Sequence, residues 1–433
     1  MSSNHPLPGD TMESRLSETQ APPPTAETAS QRQPSSYTNT DKPPEGPVKP
    51  YSEHDEPAIE PLSSSATTLY TLSYLVFFSI FGTLARLGLE ALTFYPGAPV
   101  VTGVLWANVG GSLLMGFFLE DKHIFREEWG NPPKKPEDNG NANTGANDAE
   151  EANRHKSIKK TIPLYIGLTT GFCGSFTSFS AFISDIFLAL SNDLPDPSLT
   201  TTTTTTAATG AIRGPSPRNG GYSFMALLAI ILAQVTLSLA ALTTGSHLAL
   251  ALDRFHLPPK IPFRLTRRIL DPLFVFLAWG SWLGTVFLAI WPPQEHWRGD
   301  AVFAIVFAPL GCLLRFYVSL VLNARIPSFP LGTFTVNIIG TIVLAMCYDL
   351  QHVEGIGASV LVSCQVLQGV IDGFCGAATT VSTWVTELNG LSRRLHAYIY
   401  GVMSVGVALG FFVIIAGSLR WTVGFVNPVC GSV

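Results

Sequence analysis

Glycines and hydroxyls recur in one order at two places in this chain. Gly171-Phe172-Cys173-Gly174 precedes Ser175-Phe176-Thr177-Ser178-Phe179-Ser180, and Gly373-Phe374-Cys375-Gly376 precedes Ala377-Ala378-Thr379-Thr380-Val381-Ser382. Each copy lies inside a long apolar run. The chain shows no nucleophile–base pairing with recognisable spacing, no phosphate-binding glycine loop and no histidine cluster, which argues against an enzyme. A glycine break and hydroxyls in a hydrophobic helix instead leave backbone groups needing partners. In a membrane that is tolerated only where the break is buried in protein or lines a wet path. The pattern predicts a solute or ion pathway.

The duplication is wider than this pair. Gly82-x3-Arg86 matches Gly311-x3-Arg315, and Asn108 matches Asn337, with the same interval from Arg to Asn in both halves. Internal symmetry of this kind marks membrane transport folds. The halves differ mainly by a polar insert in the first.

The elements that must position these residues are membrane helices. The chain has 433 residues, 46% hydrophobic and 13% charged, with a mean hydropathy of +0.29. A soluble domain carries about twice that charged fraction. Residues 1–66 are rich in Pro, Ser, Thr and Glu and are predicted to be a disordered cytoplasmic tail, without the apolar core of a signal peptide. The net charge of −5 mostly reflects that tail and says little about partners. The six cysteines are predicted to be small buried residues rather than a disulfide framework, with Cys430 left open.

A spanning helix needs about 20 apolar residues. Nine candidates occur, at 69–93, 98–119, 162–190, 222–252, 271–291, 301–322, 331–350, 356–387 and 397–419, the third and eighth discontinuous at Gly-Phe-Cys-Gly. Segments 120–161 and 191–221 are predicted to be flexible inserts. Lys and Arg concentrate in 120–161, in 253–270 and at Arg325, Arg393 and Arg394, which predicts a cytoplasmic N-terminus and an extracellular C-terminus. The predicted organisation is a four-helix repeat over 67–252, a loop and linker helix over 253–299, and a second four-helix repeat over 300–433. Four spans is an even number, so one linker helix inverts the second repeat relative to the first. The fold class is an all-α membrane protein of nine helices.

The order of these motifs resembles the fluoride channel family, called Fluc in bacteria and FEX in eukaryotes. The likeness covers most of residues 69–419 apart from the inserts and the linker helix. It rests on Gly-x3-Arg, the Asn, and Gly-Phe-Cys-Gly-x-x-Thr-x-Phe-Ser-x-Phe, whose order is doubled although the two phenylalanines are not. The resemblance implies passive fluoride conduction in a monomer of two fused repeats. It also implies a structural sodium ion held by backbone carbonyls, which fall here on Gly174, Thr177, Gly376 and Thr379. The family's pore phenylalanines match Phe179 and Phe182, replaced in the second half by Val381 and Trp384, so the halves are expected to contribute unequally.

Fluoride is strongly hydrated, and dehydrating it without donors costs many kcal/mol. Asn108 and Asn337 offer amide N–H groups, and Ser180, Ser382 and Thr380 offer hydroxyls. Ser238 and Ser404 occupy places where the family carries a pore-lining hydroxyl, although Ser and Thr often bond back to their own helix. On spacing alone Phe179 and Phe182 read as core packing; the resemblance assigns their ring edges to an anion. Arg86 and Arg315 are intramembrane cations to which a structural role is assigned. The expected partners are fluoride and the lipid bilayer, without nucleic acid, in the plasma membrane of a eukaryotic cell. A proton-coupled small-solute exporter is the alternative. It would need a carboxylate deep in a span of each half, and Asp185 and Asp372 are not in equivalent positions.

Overall fold

The computed structural model describes residues 64–125, 157–195, 219–255, 260–291, 298–353, 355–356 and 360–430, apart from 97, 99 and 101. Most of the predicted tail and inserts lies outside the described residues. The helices are α1 (Ser64–Thr93), α2 (Val104–Glu120), α3 (Pro163–Ser191), α4 (Gly220–Asp253), α5 (Thr266–Ile290), α6 (Phe303–Leu322), α7 (Leu331–Gln351), α8 (Leu361–Gly390) and α9 (Arg394–Thr422). Eight of them, among the described residues, are long and apolar enough to cross a membrane. The exception is α2, at 17 residues, which starts at Val104 rather than at the predicted 98.

The packing pairs recur in both halves. The first part of α3 lies along α1, and the first part of α8 lies along α6; α2 pairs with α4, and α7 with α9. The second parts are exchanged: that of α3 also packs on α7 and α9, while that of α8 packs on α2 and α4. The main core forms where these elements meet. Residues 271–290 of α5 are bonded to both neighbours. Tyr74 Oη donates to Asp271 Oδ1 at 2.9 Å, Trp279 Nε1 donates to Ser73 Oγ at 3.1 Å, and Trp282 Nε1 donates to the Val306 carbonyl at 2.9 Å.

The interruptions fall later than the sequence predicts. The Gly-Phe-Cys stretch stays helical, wound as π-helical turns over Gly167–Cys173 and Val370–Cys375. The chain opens at Thr177–Ser178 and at Thr379–Thr380, where Thr177, Ser178 and Thr379 are extended. The motif glycines serve close approach instead, a Cβ on Gly373 standing 2.2 Å from the Ala304 carbonyl oxygen, and the glycines of α1 and α6 do the same for the motif phenylalanines. A Cβ on Gly82 would stand 2.6 Å from the Phe172 carbonyl oxygen, and one on Gly311 would stand 2.2 Å from that of Phe374.

Small residues also set the α2–α4 contact, as expected where lipid supplies no hydrophobic drive between helices. A Cβ on Gly245 would stand 1.9 Å from the Leu113 carbonyl oxygen, and one on Gly116 would stand 1.9 Å from that of Leu242. Gly245→Ala is expected to destabilise by about 2 kcal/mol through overpacking. Gly88→Ala, whose Cβ meets nothing within 4 Å, is the matched control. Thermal unfolding in detergent reads the difference; equal midpoints would show that the helices separate without cost.

Candidate functional site

Breaking a helix exposes N–H groups at the start of its second part, and something must accept from them. Here each half caps the other. Thr379 Oγ1 accepts from the N–H groups of Phe179 and Ser180 at 3.2 and 3.0 Å. Thr177 Oγ1 accepts from those of Val381 and Ser382 at 3.2 and 3.1 Å. Around these caps lie two buried triplets of hydroxyls, each drawn from both halves. Thr177 contacts Thr380 and Ser382 at 3.2 and 3.1 Å, and Thr379 contacts Ser178 and Ser180 at 3.4 and 3.0 Å. The structure therefore brings Ser180, Ser382, Thr380, Thr177 and Thr379 together at one crossing.

The asparagines hold the opened backbone. Asn108 Oδ1 accepts from Ser178 N–H at 2.8 Å, and its Nδ2 donates to the Ser178 carbonyl at 3.3 Å. Asn337 does the same to Thr380, at 2.9 and 3.3 Å. Each Nδ2 carries a second N–H beyond this bond. The threonine methyls rest where α2 and α7 have glycine: a Cβ on Gly111 would stand 2.4 Å from Thr177 Cγ2, and one on Gly340 would stand 2.3 Å from Thr379 Cγ2.

Arg86 and Arg315 are buried and tie the halves at the same crossing. Arg315 donates to the Ala377 carbonyl at 3.0 Å in its own half and to the Thr170 carbonyl at 2.8 Å in the other. Arg86 donates to the Ser175 carbonyl at 3.4 Å in its own half and to the Asp372 carbonyl in the other. Both guanidinium groups lie against glycine faces, Arg315 on Gly174 and Arg86 on Gly376, which accounts for the last glycine of each motif.

Thr379→Val removes the acceptor for two N–H groups while keeping the shape of the side chain. The expected cost is about 1–3 kcal/mol, with Thr379→Ser retaining most of the stability. Unfolding midpoints in detergent compare the two; a valine variant as stable as the serine variant would show that the cap carries no weight.

Two sides flank the crossing. On one, the second part of α3, which carries Phe179 and Phe182, packs on α7 and α9, which carry Asn337 and Ser404, and also on α4. The two rings meet edge to face at 5.8 Å, and Phe179 also meets Trp384 at 5.3 Å. Ser404 Oγ donates back to the Tyr400 carbonyl at 2.7 Å. On the other side, the second part of α8, which carries Trp384 and follows Val381, packs on α2 and α4, which carry Asn108 and Ser238, and also on α9. There Ser112 Oγ, Gln234 Nε2, Ser238 Oγ and Trp384 Nε1 are buried without a hydrogen-bond partner. Neither Ser238 nor Ser404 bonds to the hydroxyl triplets.

Glu387 is a buried residue the motif analysis overlooks. Its carboxyl accepts from Thr333 Oγ1 at 2.6 Å, Tyr400 Oη at 2.7 Å and Asn323 Nδ2 at 3.3 Å. A signal for it existed. Glu387 follows Trp384 as Asp185 follows Phe182, so the matched carboxylates are Asp185 and Glu387 rather than Asp185 and Asp372. Asp372 instead accepts from Gln368 Nε2 at 2.8 Å.

The short segments Gly174–Phe176 and Gly376–Ala378 pack against each other. Helix C-termini carry partial negative charge, and extended Thr177 and Thr379 turn their carbonyls out of the helical ladder. Carbonyl oxygens of this kind suit a hard cation. Among the described residues, no group of three or more His, Cys, Asp or Glu is placed to hold a metal ion.

The fold and crossing define a helical membrane protein whose two halves interlock through broken helices. The chain belongs to the CrcB-like protein, Camphor Resistance (CrcB) family, which it matches over residues 73–246 and 302–418. It is 54% identical over 385 residues to Fluoride export protein 1 of Neurospora crassa, covering 85% of this chain and 70% of that protein. It is 36% identical over 351 residues to Fluoride export protein 1 of Candida albicans, covering 80% and 79%. The Fluoride-specific ion channel FluC of Acinetobacter baylyi is 37% identical over 87 residues, which is 20% of this chain and 64% of that one. No solved structure matches the chain.

Proposed function

We propose that this protein is a passive fluoride-selective channel that exports fluoride from the cytoplasm and confers fluoride resistance. The observation that carries the proposal is the reciprocal crossing of two interrupted helices, in a chain 54% identical to a fluoride export protein. Fluoride enters cells as neutral HF from acidic surroundings and is trapped as the anion near neutral pH. A negative-inside potential then drives it out with about 2.3 kcal/mol per 100 mV, so no ATP is needed.

All nine helices span the membrane in this proposal, with α1–α4 and α6–α9 as inverted repeats and α5 as the inverting helix. The basic residues of the connecting loops support a cytoplasmic N-terminus and an extracellular C-terminus in the plasma membrane. The bonds between the halves support function as a monomer of two fused repeats. The backbone carbonyls of Gly174, Thr177, Gly376 and Thr379 would hold a structural sodium ion, which supplies positive charge where helix C-termini meet.

The working pathway lies on the side of Phe179, Phe182, Asn337 and Ser404. The phenylalanine pair occurs only in α3, whose second part packs on α7 and α9 as well as on α4. That side combines the phenylalanine edges with an amide and a hydroxyl, whereas the other combines Trp384 with Asn108 and Ser238. A second reading keeps the function and exchanges the side. It is favoured by the unpartnered donors Ser112, Gln234, Ser238 and Trp384, which are available to an anion.

Deletion of the gene tests the function. Cells lacking the protein are expected to become hypersensitive to fluoride, more so in acid medium, with chloride tolerance unchanged. Normal growth of the deletion strain in millimolar fluoride would contradict the proposal.

A further inference from the structure

Two of the six cysteines are joined. Cys364 is bonded to Cys430, with Cα atoms 5.6 Å apart, an ordinary separation for a disulfide. The expectation of small buried thiols therefore applies to Cys173, Cys312, Cys347 and Cys375 alone. The bond closes a segment that folds back after α9. Gly424 turns the chain with φ of 89°, a conformation that favours glycine. The Phe425 ring then lies 5.4 Å from Tyr348 and 4.9 Å from His352, and Val426 N–H donates to the His352 carbonyl at 3.1 Å. Gln351 Nε2 donates to the Cys364 carbonyl at 3.2 Å. Arg420 at the end of α9 holds Asp193, just past α3, with bonds of 2.6 and 2.8 Å.

We propose that the Cys364–Cys430 disulfide is a covalent strap, formed on the exoplasmic face, that holds the C-terminal segment across the ends of α7 and α8. Two independent observations indicate the face. First, α8 and α9 have 30 and 29 residues, each long enough to span, and are joined by residues 391–393. Cys364, near the start of one, and Cys430, past the end of the other, therefore share a face opposite the turn. That turn ends in Arg393, with Arg394 next at the start of α9, and the pair marks it as cytoplasmic. Second, a persistent structural disulfide belongs to an oxidising compartment. Charge and redox chemistry point the same way. As the S–S bond forms, the two thiols lose two protons and two electrons. A lumenal protein disulfide accepts them and is left as a dithiol. The strap does not depend on which ion the protein passes.

Counting thiols on the full-length protein tests the bond. After denaturation in detergent, a polyethylene-glycol maleimide is expected to add four adducts before reduction and six after it, since six cysteines include one joined pair. Six adducts before reduction would overturn the bond. For the face, sealed vesicles are treated with an impermeant phosphine and then an impermeant maleimide. Two adducts are expected from right-side-out vesicles and none from inside-out ones; the reverse pattern overturns the placement. Cys364→Ser and Cys430→Ser should each lower the unfolding midpoint by roughly 5 °C. The double variant should fall no further, because both changes remove one bond. Additive losses would show two separate packing effects and no strap.

Discussion

Asn337→Asp is expected to cut fluoride flux about tenfold or more, while Asn108→Asp keeps it within about twofold of the parent. The comparison is matched by the structure. Each asparagine donates to its broken-helix carbonyl at 3.3 Å and accepts from the same residue's N–H at 2.8 or 2.9 Å. Aspartate keeps the acceptor and loses the donor in both halves, so any damage to the break is equal. What differs is the surroundings. Asn337 lies on α7, on the side proposed as the pathway with Phe179, Phe182 and Ser404. An ionised carboxylate there repels an anion and withdraws the second N–H. Flux from purified variants of equal monodispersity decides the matter. Loss from Asn108→Asp with Asn337→Asp intact would assign conduction to the unpartnered donors around Ser238. Equal partial loss from both would mean two working sides.

Arg86→Ala or Arg315→Ala is expected to remove most folded protein, at a cost of about 3–5 kcal/mol. Each guanidinium bonds carbonyls of both halves, so truncation strands acceptors in a buried crossing and cuts a tie between repeats. Lysine is not expected to rescue, because a single ammonium does not reproduce the planar fork that reaches two carbonyls. The monodisperse fraction after detergent extraction reads the effect. A yield and midpoint like the parent's would show that the arginines are not structural ties.

Helices were legible wherever apolar runs were long, and the repeat was legible because Arg, Asn and the glycine motif kept their order. The position of the break was not. Gly-Phe-Cys-Gly looks like an interruption, yet those glycines admit carbonyls and guanidinium groups, and the helix opens only at the threonines. Nothing local in the sequence says that Thr177 caps a helix of the other half, since that bond joins residues far apart in the chain. The same holds for the asparagines, whose amide donors were legible but whose partners were not. Glu387 was missed for a different reason. Its match to Asp185 is legible only when the halves are aligned at Phe182 and Trp384, whereas Asp372 stands out because it adjoins the glycine motif. The pairing of Cys364 with Cys430 depends on the tail folding back, which composition does not show.

The central claim is passive, fluoride-selective conduction, and the matched carboxylates Asp185 and Glu387 make independence from protons the point to test. Purified protein in liposomes, with the potential clamped by a potassium gradient and ionophore, is followed with a fluoride-selective electrode. At equal internal and external pH, fluoride efflux is expected to start on imposing the potential, to reverse with its sign and to remain unchanged when a pH gradient is added at fixed voltage, with no chloride flux. Efflux that appears only with a pH gradient would contradict the account and identify a proton-coupled exporter.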